Sequence, residues 1–192
     1  MAEPTPPSRQ QLVAGAADMI RRRGLNATSI REVAKHAGTP LGSTYHYFPG
    51  GKGQLAGEAV RFAGDTVAKV LAKRLRAGPV DGLRAFLALW REILTGTGFR
   101  AGCPVLAVSV EEPADDDAVL AVAAEVFTGW EDQLAAALRE HGAEPVEAGQ
   151  LATLVVTATE GAVAVCRAQR ATRALDRVAA QLEKLVAAAV EG

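Results

Sequence analysis

The fold is decided by residues 28–52, which have the sequence TSIREVAKHAGTPLGSTYHYFPGGK. Ser29 and Glu32 form a capping box, in which a hydroxyl stands at the N-cap and a carboxylate follows three residues later. This pattern predicts a short helix that begins at Ser29 and ends near Ala37. Gly38 follows directly, and a glycine at this place is a typical helix stop.

A second short helix is predicted over residues 41–47, since Pro40 suits a first helical turn and Pro49 with the glycines after it stops the helix. This second helix is rich in hydrogen-bonding side chains, which a buried helix would leave without partners. They are Ser43, Thr44, Tyr45, His46 and Tyr47. A helix-turn-helix places such a helix in the major groove of DNA. The alternative is that the two tyrosines cover the core of a small domain.

The rest of the sequence also predicts helices, because apolar residues recur at helical spacing and no sustained alternation typical of a strand occurs. The predicted ranges are 8–23, 52–76, 81–94, 105–110, 117–141, 145–167 and 172–190. The sequence therefore predicts an all-α protein of about nine helices. A disordered arm is expected over residues 1–7, a three-helix helix-turn-helix DNA-binding domain over 8–51 and a C-terminal helical domain over 52–192.

Charge is distributed unevenly along the chain. Residues 1–61 carry eight basic and four acidic residues, a net charge of +4, whereas the remainder carries a net charge of −5. A basic N-terminal part suggests that this part meets a polyanion, and the alternative is solvated charge placed by chance.

The sequence favours a soluble cytoplasmic protein without a metal or cofactor. Its two cysteines, Cys103 and Cys166, lack the spacing of a zinc site and fit a reducing compartment. The N-terminus has no signal-peptide pattern, and no uninterrupted apolar run is long enough to span a membrane. We therefore expect no membrane partner.

The two short helices and their turn resemble the DNA-binding signature of TetR-type repressors, and the resemblance covers roughly residues 8–62. Lys52 follows Phe48 by four residues, and this spacing, with Gly102-Cys103-Pro104 further on, is similar to the branch of LmrA-like regulators of multidrug-efflux genes. The resemblance implies a homodimer that binds a palindromic operator in double-stranded DNA. It also implies that residues 52–192 bind a small-molecule inducer and dimerise through the last two helices.

Nine residues are candidates for contact with DNA. Hydroxyl groups and a lysine can bind phosphate oxygens or base edges, tyrosine rings can pack on thymine methyls, and a glycine allows close approach. The resemblance assigns DNA-facing positions to most of them. The nine are Ser29, Arg31, Thr39, Gly42, Ser43, Tyr45, His46, Tyr47 and Lys52. His46 could instead be a solvated surface histidine.

Nine further residues are candidates for contact with a ligand, since small ligands bind in concave apolar sites with a few polar groups. They are Phe86, Trp90, Phe99, Cys103, Leu106, Phe127, Trp130, Thr157 and Glu160. The aromatic residues could equally be ordinary core. Cys103 is expected to be a packed thiol rather than a redox sensor, and Glu160 could bind a ligand or lie at an interface.

The function that these expectations favour is a transcriptional repressor released from its operator by a small, largely apolar ligand. Two other readings are an activator of the same fold and a structural DNA-binding protein. A third is an enzyme acting on a small apolar substrate in the C-terminal cavity. No catalytic residue is expected, because the sequence lacks a Ser/His/Asp order, a phosphate-binding loop and a set of metal ligands.

Overall fold

The computed structural model describes residues 9–111 and 117–191, so the arm predicted at residues 1–7 lies outside the described residues. Within the described residues the chain forms nine α-helices and no β-strand, which confirms the predicted all-α fold. The helices are α1 (Arg9–Arg23), α2 (Ile30–His36), α3 (Leu41–Tyr47), α4 (Gly51–Leu75), α5 (Pro79–Gly96), α6 (Pro104–Ser109), α7 (Ala118–Glu140), α8 (Pro145–Gln169) and α9 (Arg173–Glu191).

Helix ends follow the local signals in the sequence. The third helix spans the predicted residues 41–47. The fifth helix begins at Pro79, two residues before its predicted start, directly after Gly78 with a φ of +120°. Proline suits this first position because its φ is already helical and its missing N–H would have no partner inside the helix.

The chain divides into two compact units. The first comprises Met1–Ala63 and Pro104–Ala124, and the second comprises Gly64–Cys103 and Glu125–Gly192. This division reflects how the helices pack and does not test the predicted boundary between a DNA-binding domain and a ligand-binding domain at residues 51 and 52.

In the first unit, α1 packs against α2, α3 and α6. One face of α1 supplies buried residues, including Leu12 and Ile20, and Phe48 at the end of α3 has no exposed surface. The guanidinium of Arg9 lies 5.1 Å from the centre of the Phe48 ring. Since Phe48 is anchored in this core, the end of α3 has a defined position while its polar face stays open.

The second unit is built from α5, α8 and α9, which pack on one another, together with parts of α4 and α7. Its core contains a cluster of edge-to-face aromatic rings, which we call the aromatic cluster: Phe86, Trp90, Phe127 and Trp130. The indole N–H of Trp130 donates a hydrogen bond of 3.1 Å to the carbonyl oxygen of Gly64. A Cβ on Gly64 would lie 2.6 Å from a methyl carbon of Val126, so any larger residue would force Val126 to move where α4 approaches α7.

Candidate DNA interface and interior ligand site

The N-terminus of α2 carries the predicted capping box. The backbone N–H of Glu32 donates to the Ser29 hydroxyl at 3.2 Å, and the backbone N–H of Ser29 donates to the Glu32 carboxylate at 3.2 Å. The Ser29 hydroxyl also donates to the Glu32 carboxylate at 2.9 Å, and this hydrogen bond, with the one from the Ser29 backbone N–H, lowers the pKa of Glu32. Both residues are exposed, as is Arg31 in the first turn. The cap thus leaves the start of α2 open to a binding partner.

The side chain of Thr39, one of the predicted DNA contacts, points inward from the turn between α2 and α3. Gly38 adopts a φ of +67°, which favours glycine. The hydroxyl of Thr39 is buried and donates to the carbonyl oxygen of Ala34 at 3.3 Å, and the backbone N–H of Thr39 donates to the same oxygen at 2.8 Å. The side chain of Thr39 therefore closes the turn instead of facing solvent, and its predicted contact with DNA stays a prediction.

Helix α3 presents its polar face to solvent. Tyr45 is 55 % exposed, Gly42 and His46 are exposed, and Ser43 and Tyr47 are half-buried. A Cβ on Gly42 would meet no atom within 4 Å, so a larger side chain at this position would project outward. Neither tyrosine is buried in the core, and only Thr44 points fully inward. The exposed polar helix expected from the sequence is therefore present.

Four of the predicted DNA contacts lie around one open groove of the first unit: Ser29, Arg31, Tyr45 and Lys52. Residues 26–28, from the turn before α2, line the same groove. The ammonium of Lys52 lies 3.5 Å from the carbonyl oxygen of Asn26. We call this surface the α2–α3 groove. It is a concave surface with hydrogen-bond donors on α2, α3 and the first turn of α4.

The arginines at the end of α1 are paired inside the first unit. Asp18 accepts hydrogen bonds from Arg21 at 2.5 Å and from Arg22 at 2.9 Å. Burial raises the pKa of Asp18, but the hydrogen bonds from Arg22 and Arg21 outweigh this effect, so the pKa is below its ordinary value. Arg23 pairs with Glu32 at 3.1 Å. These contacts place the positive charge of this helix end beside acids of the same unit.

The predicted ligand residues occupy different environments. Phe86, Trp90, Trp130 and Cys103 are buried in the second unit, and Phe127 is half-buried at the side of the aromatic cluster. Three of the remaining four lie elsewhere, and the fourth, Glu160, is described below. Phe99 is half-buried with a φ of +61°, Leu106 belongs to the first unit, and Thr157 is exposed. The hydroxyl of Thr157 donates to the carbonyl oxygen of Thr153 at 2.8 Å, so it is already used within α8.

Glu160 is a carboxyl group in the interior of the second unit, with 4 % of its surface exposed. Neither carboxylate oxygen has a hydrogen-bond partner of ordinary geometry. Burial raises the pKa of Glu160 to about 8, and the Cys103 thiol opposes this effect only in part. The carboxyl group is therefore held neutral at pH 7, in which state it can donate a hydrogen bond.

Three other buried polar atoms in the second unit lack hydrogen-bond partners: the indole nitrogen of Trp90, the amide oxygen of Gln133 and the hydroxyl of Thr159. Trp90 was predicted as a ligand contact, whereas sequence reasoning missed Gln133 and Thr159. Thr159 continues the row of buried residues Ala148, Ala152 and Val155 at helical spacing, but a helix as apolar as α8 has no contrasting polar face that would mark this row as the inner one. Buried polar atoms without partners are uncommon and call for an explanation such as a bound molecule.

Residues 9–111 and 117–191 contain no group of three or more His, Cys, Asp and Glu side chains arranged to hold a metal ion. Both cysteines are buried, and neither forms a disulfide bond. The Cys166 sulfur accepts a hydrogen bond from the backbone N–H of Leu175 at 3.4 Å, a contact that ties α8 to the start of α9.

The arrangement of α1 to α3 defines a helix-turn-helix protein of the DNA-binding class. Residues 12–59 match the family described as bacterial regulatory proteins, tetR family. Residues 79–181 match the C-terminal domain of LmrA/YxaF-like transcriptional regulators. The chain belongs to the TetR family of transcriptional regulators, with a C-terminal domain of the LmrA/YxaF-like type.

Individual relatives agree with this assignment. The chain is 42 % identical over 185 residues to the HTH-type transcriptional regulator Rv0196 of Mycobacterium tuberculosis, and the match covers 94 % of each chain. It is 30 % identical over 181 residues to the HTH-type transcriptional regulator YxaF of Bacillus subtilis, covering 93 % of this chain and 95 % of YxaF.

Solved structures share the fold. A regulatory protein TetR from Rhodobacter sphaeroides superposes with a TM-score of 0.82 at 22 % identity, covering 92 % of this chain and 97 % of that one. A cysteine mutant of the TetR family regulator CifR, complexed with 26 bp double-strand operator DNA, superposes with a TM-score of 0.75 at 19 % identity, covering 97 % of this chain and 99 % of that one.

Proposed function

We propose that this transcriptional regulator is a homodimeric repressor that binds a palindromic operator through α3 and is released by a small, largely apolar ligand. The observation that carries the proposal is the polar face of α3, on which Tyr45 is 55 % exposed while Phe48 anchors the same helix in the core. A rigidly held helix with a polar outer face is what major-groove recognition requires. Because the partner is DNA, we place the protein in the cytoplasm.

The proposed DNA interface consists of the α2–α3 groove and the outer face of α3. Ser29, Arg31 and Lys52 supply donors for phosphate oxygens, and Gly42, Ser43, Tyr45, His46 and Tyr47 supply the face that meets base edges. Thr39 is not included in this interface, because its buried hydroxyl donates within the turn between α2 and α3. The operator DNA bound to CifR, which shares the fold, supports a DNA-bound state of this kind.

The DNA interface is tested with Tyr45→Ala and Lys52→Ala. We expect each variant to bind its operator roughly tenfold more weakly, because each removes a contact worth about 1–3 kcal/mol. Binding to DNA from the region upstream of the gene is measured by mobility shift or fluorescence anisotropy at several salt concentrations. Lys52→Ala should also reduce the salt slope by about one, as expected for a lost phosphate contact.

Lys69→Ala is the matched control for the lysine, because Lys69 is an exposed lysine further along α4. It should leave operator affinity and salt slope unchanged. Unchanged binding by both Tyr45→Ala and Lys52→Ala would contradict the proposed interface. Equal affinity of the wild-type protein for operator and random DNA would indicate a structural role instead. A reporter gene that rises when the regulator is deleted distinguishes repression from activation.

The proposed dimer surface lies on α8 and α9. By length and composition α8 could span a membrane, with a mean hydropathy of 1.4 over its most apolar 18 residues, but half of that stretch is buried inside the protein. Its outer face exposes Leu154, Thr157, Gly161 and Val165, and α9 adds Leu185. Small residues at four-residue spacing allow close helix approach, and a self-complementary interface suits a palindromic site.

We expect Gly161→Arg to convert the dimer into a monomer. A Cβ at Gly161 would meet no atom within 4 Å, so arginine fits the isolated chain but would keep two copies of α8 apart. Sedimentation or light scattering gives the mass, and Gly129→Arg on α7 is the control, since its Cβ is equally free of contacts. A Gly161→Arg protein that remains fully dimeric would show that this face is not the interface.

The proposed ligand site is the interior of the second unit around the aromatic cluster, with Cys103 and Glu160 as its polar groups. Aromatic walls favour an apolar ligand, and the neutral carboxyl of Glu160 can donate a hydrogen bond to it. Phe99 is retained in this site, whereas Thr157 is exposed and Leu106 belongs to the first unit. No observation favours an enzyme, and the relatives described above are transcriptional regulators.

A further inference from the structure

The turn that joins α1 to α2 satisfies part of its own backbone. The N–H of Gly24 donates to the carbonyl oxygen of Ile20 at 2.8 Å and closes α1. The N–H of Thr28 donates to the carbonyl oxygen of Leu25 at 3.0 Å, and the Thr28 hydroxyl donates to the carbonyl oxygen of Gly24 at 2.7 Å. None of these three bonds uses the N–H groups of Leu25 and Asn26.

Glu111 binds those two N–H groups from the segment that follows α6. Its carboxylate accepts from the N–H of Leu25 at 3.0 Å and from the N–H of Asn26 at 2.7 Å. Hydrogen bonds to a carboxylate are stronger than bonds between neutral groups, and successive backbone N–H groups form a concave site for an anion. We call this contact the Glu111 clamp. Both sides of the clamp belong to the first unit.

Gly24 leaves the space that the carboxylate of Glu111 occupies. It adopts a φ of +86°, and a Cβ at this position would overlap the carboxylate of Glu111. A side chain at residue 24 would therefore be strained in its backbone and would also exclude the acid. The glycine that ends α1 thus has a second purpose, which is to let the carboxylate of Glu111 approach the turn.

Asn26 connects the clamp to the α2–α3 groove. Its N–H is held by Glu111, and its carbonyl oxygen faces the ammonium of Lys52 at 3.5 Å. Asn26 and Lys52 both line the groove together with Ser29 and Arg31. A shift of the turn would therefore move the Asn26 carbonyl oxygen that Lys52 contacts, together with the residues just before the N-cap of α2.

We propose that Glu111 is a positioning residue for DNA binding, which holds the turn before α2 and, through the backbone of Asn26, sets the place of Lys52 at the DNA surface. The inference rests on the proposed DNA interface. Helix α6, which ends two residues before Glu111, packs on α1 within the same unit and supplies a rigid base for the clamp. Ordering the turn in advance lowers the entropy cost of ordering it on DNA.

The direction in which DNA affinity changes when Glu111 is replaced distinguishes a positioning role from a general electrostatic effect of its charge. Removal of one negative charge near a DNA surface should strengthen binding to a polyanion, or leave it unchanged at moderate salt. Loss of the clamp should weaken binding. In Glu111→Gln one of the two acceptor oxygens becomes an NH₂ group, which cannot accept from a backbone N–H.

The experiment compares full-length Glu111→Gln with Asp117→Asn, each lacking one negative charge, and with the wild-type protein. Asp117 is an exposed acid of the same unit. Binding to an operator that the wild-type protein recognises is measured by fluorescence anisotropy from low to moderate salt. We expect Glu111→Gln to bind roughly tenfold more weakly, with a salt slope smaller by about one because Lys52 is displaced. Asp117→Asn should bind as the wild type or more tightly, with the full slope.

Glu111→Asp is the second variant, in case the glutamine protein does not fold. It keeps the charge but shortens the side chain by one methylene, so the carboxylate withdraws from the turn, and the same loss of affinity and slope is expected. Circular dichroism confirms that each variant is folded. Binding by folded Glu111 variants with wild-type affinity, or weaker binding with the full salt slope, overturns the positioning role. A wild-type protein without specific DNA binding would instead overturn the proposed function itself.

Discussion

Replacement of Trp130 by alanine is expected to lower the free energy of unfolding by about 3–5 kcal/mol, the usual cost of truncating a large buried aromatic side chain. Trp130 is only 1 % exposed and contacts three other rings of the aromatic cluster. Its truncation leaves a cavity in the second unit and deprives the Gly64 carbonyl oxygen of its indole donor. Urea denaturation followed by circular dichroism, at one fixed protein concentration, measures the change.

Two control variants separate the contributions of Trp130. Trp130→Phe removes the hydrogen bond to Gly64 but retains an aromatic ring, so a smaller loss is expected. Phe127→Ala should also cost less than Trp130→Ala, because Phe127 is half-buried. A loss below about 1 kcal/mol for Trp130→Ala would mean that the cluster does not hold the second unit together.

The second large effect concerns pH, and it follows from the buried carboxyl group of Glu160. The pKa is about 8 in the folded protein, against an ordinary value of 4.5. Between these two pH values the folded state keeps the proton while the unfolded state has lost it. Stability that is fully present below pH 4.5 is therefore lost progressively as the pH rises toward 8. The limiting slope is about 1.4 kcal/mol per pH unit, so several kcal/mol are lost across the window.

Glu160→Gln should remove this loss, because an amide has no proton to release. The variant is expected to be more stable than the wild type at pH 8 and to differ from it much less at pH 5. Thermal or urea unfolding at pH 5, 6, 7 and 8 without added ligand measures the difference. Glu140→Gln is the control, since Glu140 is exposed at the end of α7 and should leave the pH dependence unchanged. Equal pH slopes for Glu160→Gln and the wild type would contradict a neutral buried carboxyl group.

The same carboxyl group has a consequence for ligand binding. A ligand that accepts a hydrogen bond from neutral Glu160 should bind more weakly as the pH passes 8, whereas a cationic ligand would pair with the carboxylate and release its proton. The direction of the pH dependence of affinity thus reports the chemistry of the ligand, once a ligand is in hand.

Much of the fold could be predicted from the sequence because the signals for helices are local. The capping box of Ser29 and Glu32 and the stop at Gly38 each involve residues within four positions of one another, and such contacts form in the same way in any context. The exposure of Tyr45 also followed from its polar neighbours on a short helix. The sequence likewise resembled the family to which the chain belongs.

Inward-facing polar groups were harder to predict. No local signal indicated that the hydroxyl of Thr39, a predicted DNA contact, is buried in the turn, where it donates to a carbonyl oxygen five residues earlier. Thr157 and Thr159 are near neighbours on α8, yet one is exposed and the other is fully buried. A helix as apolar as α8 gives little indication of which side faces inward, because periodicity locates a buried face only where a polar face contrasts with it.

By itself, then, the sequence determined the number and order of the helices, their ends to within about two residues, the turn between α2 and α3, the polar character of α3 and the family. Only the tertiary structure decided that Glu111 binds the turn at Leu25 and Asn26, that Lys52 rests on Asn26 and that Glu160 is buried beside Cys103. The physical reason is the distance along the chain over which each kind of interaction acts. Helix signals act over one turn of the chain, whereas burial and ion contacts depend on residues brought together from distant helices, whose packing no local pattern records.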